Sequence, residues 1–217
     1  MSTKVKICGV RDAETAMVAA DAGANYIGLV FVENVRRQLL PIDGQSIVRS
    51  FRIRGGRRSK ETSELIGLFR NQDKEWVNQS SRTIDLDGIQ LTGDENERYI
   101  RSMWKPVFRQ VRISKTTKPK ELKTKVQNLL NGGCHVILDS FDPKTPGGTG
   151  KSFNWEVARG IASLDRVLLA GGLTPENVAG AIRELSPWGV DVSSGVETNG
   201  VKDHKKIQDF IQASREH

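Results

Sequence analysis

The sequence predicts an α/β protein built as a single (β/α)8 TIM barrel, with eight parallel strands, over residues 1–217. Short apolar segments alternate with helical patterns along the whole chain, which is typical of a parallel sheet. The alternation repeats eight times, and 217 residues suit one domain of this kind. Two glycine-rich turns come last, after the seventh and eighth predicted strands, where such barrels bind phosphate. An open doubly wound sheet is the alternative, but it normally places its glycine-rich turn after the first strand.

Each predicted strand is a short apolar run that a turn or a small residue ends. The strands are expected at 5–8, 26–31, 65–69, 88–91, 107–111, 136–138, 167–170 and 190–192. Capping residues locate several helices: Asp12 starts the first, Gly23 ends it, and Thr174 starts the one after the seventh strand. The remaining helices are expected at 43–51, from 74, near 95–103, at 120–130, at 155–162 and from 204.

The net charge of +7 raises the question of a nucleic-acid partner. Most of the excess lies in two segments, at 49–60 and 115–125. Neither segment interleaves the aromatic residues that stack on bases, so we interpret both as solvated surface, the first as a loop. Steering of an anionic substrate and incidental nucleic-acid binding are the alternatives, and the prediction is that no nucleic acid is bound.

Composition also bears on the compartment. No apolar run approaches the roughly 20 residues that cross a bilayer, and the N-terminus lacks the apolar core of a signal peptide. The two cysteines belong to no zinc motif and suit a reducing compartment. We therefore expect a cytoplasmic protein without a membrane partner or a zinc site.

In a barrel of this kind, the carboxyl ends of the strands face the active site. Cys8 ends the first predicted strand beside Lys6, and cations lower the pKa of a thiol toward that of a useful base. Asp139 ends the sixth strand, although it could equally be a loop cap. Alternation points Asp191 into the barrel if its flanking valines pack on helices. Arg37, in the loop after the second strand, is a candidate carboxylate clamp.

The three histidines are poorly placed for catalysis. His135 comes before the sixth strand, as does Cys134, so both are expected at the opposite end of the barrel. His204 opens the last helix and His217 ends the chain. A metal-dependent epimerase would need histidines at the carboxyl ends of strands, and the sequence places none there.

The two glycine-rich turns are candidates for one shared phosphate site. Gly171 and Gly172 permit positive φ and close approach of the backbone. Ser193, Ser194 and Gly195 offer two hydroxyls and unobstructed N–H groups at the start of a helical turn.

With these residues in place, the chain resembles the phosphoribosylanthranilate isomerases of tryptophan biosynthesis. The resemblance covers essentially the whole chain, and ETNGVKD looks most like the fungal members. The corresponding segments, in order, are KICGV (6–10), GLVF (28–31), GLFRN (67–71), DGIQLTGDE (87–95), LDS (138–140), GGTGKSFNW (147–155), LAGGLTPENV (169–178) and GVDVSSGVETNGVKD (189–203).

The resemblance implies an Amadori rearrangement of the phosphosugar N-(5-phosphoribosyl)anthranilate, without metal or organic cofactor, by a protein expected to be monomeric. Cys8 matches the family's general base and Asp139 its general acid. Arg37 matches the arginine that binds the anthranilate carboxylate, and Asp191 an aspartate that holds the substrate. The phosphate falls to the two turns, and Lys6 joins the substrate-binding set.

Two departures from the family pattern leave alternatives open. Many members read SPR where this chain has Val35, Arg36 and Arg37, so the clamp could belong to Arg36. Thr92 stands where the usual QLHG has histidine. The competing functions are another phosphate-binding barrel enzyme of amino-acid or pentose metabolism, and an impaired barrel that serves as a basic binding scaffold.

Overall fold

The computed structural model describes residues 2–54, 63–114, 116–139 and 155–216. Within them, eight parallel strands close into a barrel in sequence order, with β8 hydrogen-bonded to β1. The closed barrel is therefore confirmed, and the open sheet is wrong. The strands are β1 Lys4–Cys8, β2 Tyr26–Val30, β3 Glu64–Phe69, β4 Gly88–Leu91, β5 Val107–Arg112, β6 His135–Asp139, β7 Val167–Ala170 and β8 Gly189–Val192.

Helices follow the strands and cover the outside of the barrel. The first begins as predicted, because the Asp12 carboxylate accepts a hydrogen bond of 2.7 Å from the Thr15 N–H, and Gly23 ends it at φ 99°. None of the described helices is both long and apolar enough to cross a membrane. The helices are α1 Ala13–Ala22, α2 Pro41–Ile53, α3 Lys74–Ile84, α4 Glu97–Arg101, α5 Pro119–Asn131, α6 Val178–Leu185 and α7 His204–Ala213, with 3-10 turns at Trp155–Ala158 and Ser194–Val196.

The basic segment at 49–60 is only partly the loop that was predicted. Helix α2 continues to Ile53 because Ile47, Val48 and Phe51 give it a buried face. Arg52 is not solvated either, since its Nε lies 2.7 Å from Asp85 Oδ2. The rest of the predicted loop, at 55–62, lies outside the described residues.

Two helical predictions near the C-terminal half are also wrong. Thr174 does not cap α6; the Asn177 side chain accepts from the Thr174 N–H at 2.8 Å and donates to the Gly172 carbonyl at 2.9 Å. The chain therefore makes a turn that closes onto the glycine pair, and the helix starts only at Val178. The segment predicted as a helix at 155–162 is a single 3-10 turn followed by Gly160 at φ 71°.

Alternation along the strands separates two apolar layers. Residues such as Ile7, Leu29 and Val190 point outward and pack under the helices. A smaller cluster fills the barrel interior at the amino ends of the strands, where Phe108 stacks on His135 with ring centroids 4.3 Å apart. This plug closes the amino end of the barrel. The carboxyl ends hold polar side chains together with a third buried group, formed by Cys8, Val30, Val32 and Leu68. The apolar members of the plug are Tyr26, Ile66, Phe108, Ile137, Leu168 and Ala170, with Trp188 packed against them.

Candidate active site

A buried ion pair lies inside the barrel near the carboxyl ends of the strands. Lys6 and Asp191 are register partners on β1 and β8, and Lys6 Nζ lies 3.0 Å from Asp191 Oδ1. Asp191 points inward because Val190 and Val192 pack in the outer layer, as its flanking residues predict. Burial lowers the pKa of Lys6, but Asp191 and Cys8 outweigh it, so the pKa lies above its ordinary value. The protonated form of Lys6 is therefore favoured beside Asp191.

Cys8 is the last residue of β1 and lies in hydrogen-bonding contact with Lys6. The sequence predicts a lowered pKa for this thiol, and the structure corrects that prediction. Burial raises the pKa of Cys8 above its ordinary value, and the opposing effects of Lys6 and Lys202 do not overcome it. The neutral thiol is therefore the favoured form of Cys8.

Asp139 lies at the carboxyl end of β6 and is partly buried. Burial, followed by repulsion from Asp191, raises its pKa to about 6. A hydrogen bond from the Gln110 side-chain amide to Oδ2 acts in the opposite direction, as do Arg112 and Lys6. Among the described residues, the hydrogen-bond partner of the carboxylate is Gln110, an inward-facing side chain on β5, and the loop that Asp139 could cap lies outside them. A carboxyl group of this pKa can hold a proton near neutral pH and release it.

Arg37 crosses the end of β1 next to Cys8. A Cβ added to Gly9 would come within 2.4 Å of Arg37 Cδ, and Gly9 has φ 80°. Glycine is thus required where the arginine passes over the backbone. The guanidinium is held by Glu197, with Nε at 2.6 Å from Oε1 and Nη2 at 2.9 Å from Oε2. Arg36 also reaches Glu197, at 2.5 Å, but its side chain is 54% exposed against 24% for Arg37.

The two predicted phosphate turns are in direct contact. Gly171 and Gly172 have φ of 90° and 68°, as the turn requires. A Cβ on Gly195 would lie 1.9 Å from the Leu173 carbonyl oxygen, so the second turn packs against the first through this glycine. Ser193 Oγ donates to the Cys8 carbonyl at 3.1 Å, whereas Ser194 is exposed. The turns and Cys8 therefore form one edge of the mouth.

The remaining sequence candidates have structural roles. Thr92 donates its hydroxyl to the Phe69 carbonyl at 3.1 Å. His135 belongs to the interior plug and His204 lies beside Thr15, with the ring nitrogen and hydroxyl 3.1 Å apart. Cys134 is buried before β6, at the opposite end from the mouth. His217 lies outside the described residues.

Comparison with known proteins identifies the family of this chain. The family described as N-(5'-phosphoribosyl)anthranilate (PRA) isomerase matches residues 5–213. The chain belongs to this family. Its function is accordingly that of an isomerase of this substrate in tryptophan biosynthesis. A relative from Roseiflexus sp. (strain RS-1), named N-(5'-phosphoribosyl)anthranilate isomerase, is 42% identical over 213 residues, which is 97% of each chain.

Solved structures agree with the fold. The phosphoribosyl anthranilate isomerase of Thermotoga maritima is 30% identical, with a TM-score of 0.81 over 98% of each chain. A second PRA isomerase structure, 28% identical with a TM-score of 0.77 over 98% of each chain, contains reduced 1-(o-carboxyphenylamino)-1-deoxyribulose 5-phosphate.

Sequence reasoning missed three residues of this PRA isomerase mouth: Gln110, Glu197 and Lys202. Glu197 and Lys202 lie on a hairpin of β9 Glu197–Thr198 and β10 Val201–Lys202, and Lys202 Nζ is 2.9 Å from Glu197 Oε1 and 2.7 Å from the Ser193 carbonyl. The signal for the hairpin was the pair Asn199–Gly200, which two-residue turns favour because both residues take positive φ.

Glu197 binds cations on several sides. Burial raises its pKa, but hydrogen bonds from Arg37 and Lys202 outweigh it and bring the pKa to about 2. Glu197 thus remains ionised and links the arginine beside Cys8 to the second phosphate turn. The segments that follow Asp139, including Ser140 of LDS and residues 147–154 of GGTGKSFNW, lie outside the described residues.

Proposed function

We propose that this chain performs the Amadori rearrangement of N-(5-phosphoribosyl)anthranilate to the 1-deoxyribulose phosphate with Asp139 as general acid and Cys8 as general base. The observation that carries the proposal is the convergence of both groups, with the Lys6–Asp191 pair, inside the carboxyl end of one barrel. Both steps are proton transfers, which these side chains can supply.

The first step opens the ribose ring. Asp139 donates its proton to the ring oxygen, the bond from that oxygen to the anomeric carbon breaks, and the anthranilate nitrogen becomes a protonated Schiff base. With a pKa of about 6, a part of Asp139 is still protonated near neutral pH, and the group gives up that proton readily. Such help accelerates a reaction by roughly 10²- to 10⁴-fold.

The second step removes the proton from the adjacent carbon. Cys8 takes it as the thiolate, after its own proton has passed to solvent. The electrons of the broken carbon–hydrogen bond form a carbon–carbon double bond, and those of the C=N bond move to the nitrogen. The resulting enol form then gains a proton at the anomeric carbon and loses its hydroxyl proton to give the ketone. The raised pKa of free Cys8 leaves little thiolate before the substrate binds. The cationic nitrogen formed in the first step adds positive charge to that of Lys6, and both favour the thiolate when the base is needed.

Arg37 is the proposed clamp for the anthranilate carboxylate, in preference to Arg36. Its side chain crosses Gly9 beside Cys8, and it is the less exposed of the two. Glu197 occupies the Nε and one donor of Nη2, which leaves Nη1 for the substrate. Asp191 is proposed to hold the sugar hydroxyls, and Gly171, Gly172, Ser193, Ser194 and Gly195 to bind the phosphate.

The experiment is a fluorescence assay with phosphoribosylanthranilate made in situ. We expect loss of its fluorescence only when the protein is present, with the deoxyribulose product identified by mass spectrometry. Arg37→Ala should raise KM far more than Arg36→Ala, because only Arg37 lies beside Cys8. An unchanged fluorescence decay with wild-type protein would reject the proposed activity.

Four broader properties are also proposed. The family resemblance and barrel support one domain over 1–217, and a monomer is supported because one chain supplies Cys8, Asp139, Lys6 and Asp191. Two free cysteines and a soluble phosphorylated substrate support a cytoplasmic enzyme. Light scattering on purified protein tests the monomer.

The likeness of ETNGVKD to fungal members stays a prediction, since the Roseiflexus relative is bacterial.

A further inference from the structure

The side chain that contacts Asp139 comes from the neighbouring strand. Gln110 on β5 donates from Nε2 to Asp139 Oδ2. In the register of the two strands, Gln110 is opposite Ile137, while Arg112 is opposite Asp139. Gln110 is thus two residues nearer the amino ends of the strands and approaches Asp139 from within the barrel. Gln110 therefore binds one oxygen of the carboxyl group, Oδ2.

A protonated carboxyl group carries its hydrogen on one of two oxygens. An oxygen that accepts an amide N–H is the poorer place for that hydrogen, because its electron density is already shared with a donor. We propose that Gln110 is a positioning residue for the reaction: its amide binds Oδ2 of Asp139 and so keeps the proton to be delivered on Oδ1. This inference rests on the proposed role of Asp139 as general acid.

The same contact favours the carboxylate that remains after the proton has left. Hydrogen bonds to an ionised acceptor are stronger than those to a neutral one, so the amide contributes more as the transfer proceeds. Among the described residues, the charged groups acting on Asp139 are Asp191 on β8, Lys6 on β1 and Arg112 on β5. Ala170, its partner on β7, carries no charge. The amide therefore works with Lys6 and Arg112 against burial and Asp191.

Gln110→Met tests the proposal, because it keeps the length of the side chain and removes the donor. We expect the pKa of Asp139 to rise by roughly one pH unit, as loss of a hydrogen bond to a charged group predicts. Carbon-13 NMR of protein labelled in its aspartate carboxyls measures this directly, with Asp139→Asn to assign the signal. In the pH profile of kcat/KM, the limb near pH 6 should shift to higher pH by the same amount, and kcat should fall.

Gln90→Met is the matched control. Gln90 is a buried glutamine on β4, opposite Phe108 in the strand register, and is not among the groups acting on Asp139. Replacement of Gln90 should leave the pKa of Asp139 unchanged. If Gln110→Met does not fold, Gln110→Ala removes the same donor with less bulk and has the same expected direction.

Three results would overturn the proposal. An unchanged Asp139 pKa in the Gln110 variant means that the amide only fills space, and a lowered pKa means that it accepts a hydrogen bond instead of donating one. A raised pKa in the NMR titration with an unmoved kinetic limb would remove Asp139 from the mechanism and the positioning role with it. Because the NMR titration needs no turnover, failure of the contact and failure of the proposed acid are distinguishable.

Discussion

At the scale of single residues, burial and charge act in opposite directions on both proposed proton-transfer groups. Cys8 and Asp139 are each pushed toward their neutral forms by desolvation, and Lys6 opposes this in both. Neutral groups suit a free enzyme whose substrate brings its own charge, since the Schiff-base cation appears only after the ring has opened. Lys6 then favours the charged forms of both groups, the Cys8 thiolate and the Asp139 carboxylate, when the reaction produces them.

The two cysteines should differ in their reaction with iodoacetamide. Both cysteines are buried, but Cys8 lies at the mouth and Cys134 at the opposite end of the barrel, so labelling of Cys8 should come first and inactivate the protein. Because the pKa of Cys8 is raised, its labelling rate should be low at pH 7 and climb until the pH passes the ordinary thiol range. Peptide mapping with parallel rate measurements follows both sites.

A product analogue should protect Cys8 from the reagent. Cys8→Ser should lose most activity because a hydroxyl is a far weaker base, while Cys134→Ser, the matched control, should keep the wild-type rate. Labelling of Cys134 before Cys8, or a Cys8→Ser variant of full activity, would mean that Cys8 only packs the end of the barrel.

Asp139 should lower the stability of the fold above pH 6. Its folded pKa of about 6 exceeds the ordinary value of 3.8, so the folded state binds a proton more tightly than the unfolded state does. The destabilisation is complete above pH 6 and disappears as the pH falls below about 4. Asp139→Asn should therefore raise the free energy of unfolding by up to about 3 kcal/mol at pH 7.5. Urea unfolding at pH 7.5 and pH 4 checks this, and an equal gain at both would contradict the shift.

At the scale of elements, the proposed phosphate site depends on how the two final turns pack. The first is closed by Asn177 onto the Gly172 carbonyl, and the second touches it through Gly195. The β9–β10 hairpin then joins the second turn to Arg37, through Lys202 and Glu197. A shift of one turn is therefore expected to move both the phosphate and the arginine beside Cys8.

The two glycines should fail in different ways when a methyl group is added. Gly195→Ala places its Cβ at 1.9 Å from the Leu173 carbonyl, so the turns must separate, and both thermal stability and phosphate affinity should fall. Gly172→Ala meets nothing within 4 Å, but φ 68° strains it by about 1 kcal/mol. Calorimetric titration with a product analogue and thermal unfolding compare the two. Wild-type affinity in both variants would place the phosphate elsewhere.

At the scale of the whole molecule, the sequence predicts the barrel well because periodicity is a local property. Strands β4 and β7 fall at the expected residues, β6 extends one residue further at each end, and the others differ by one residue at one end. The prediction ends helix α2 two residues early because the segment from residue 49 onward is basic, and only the fold shows that Arg52 pairs with Asp85. Local pattern thus gives elements, but not the partners of charged side chains.

The candidate site shows the same division between local features, which the sequence predicts, and distant partners, which it does not. The end of a strand can be predicted from the sequence, so Cys8 and Asp139 were identified as candidates, together with the inward direction of Asp191. Gln110 and Glu197 were not, because their partners lie 29 and 160 residues away. The raised pKa of Cys8 also escaped prediction, since desolvation by the closed barrel is a property of all the strands together.

The most direct test of the account compares turnover with binding in Asp139→Asn. The amide keeps the shape of the carboxyl group but has no acidic proton, so ring opening loses its acid and kcat should fall by roughly 10²- to 10⁴-fold. Affinity for a reduced product analogue, measured by calorimetry, should stay near that of the wild type because the phosphate turns and Arg37 are untouched. Turnover at the wild-type rate in this variant would contradict the assignment of Asp139 as the general acid.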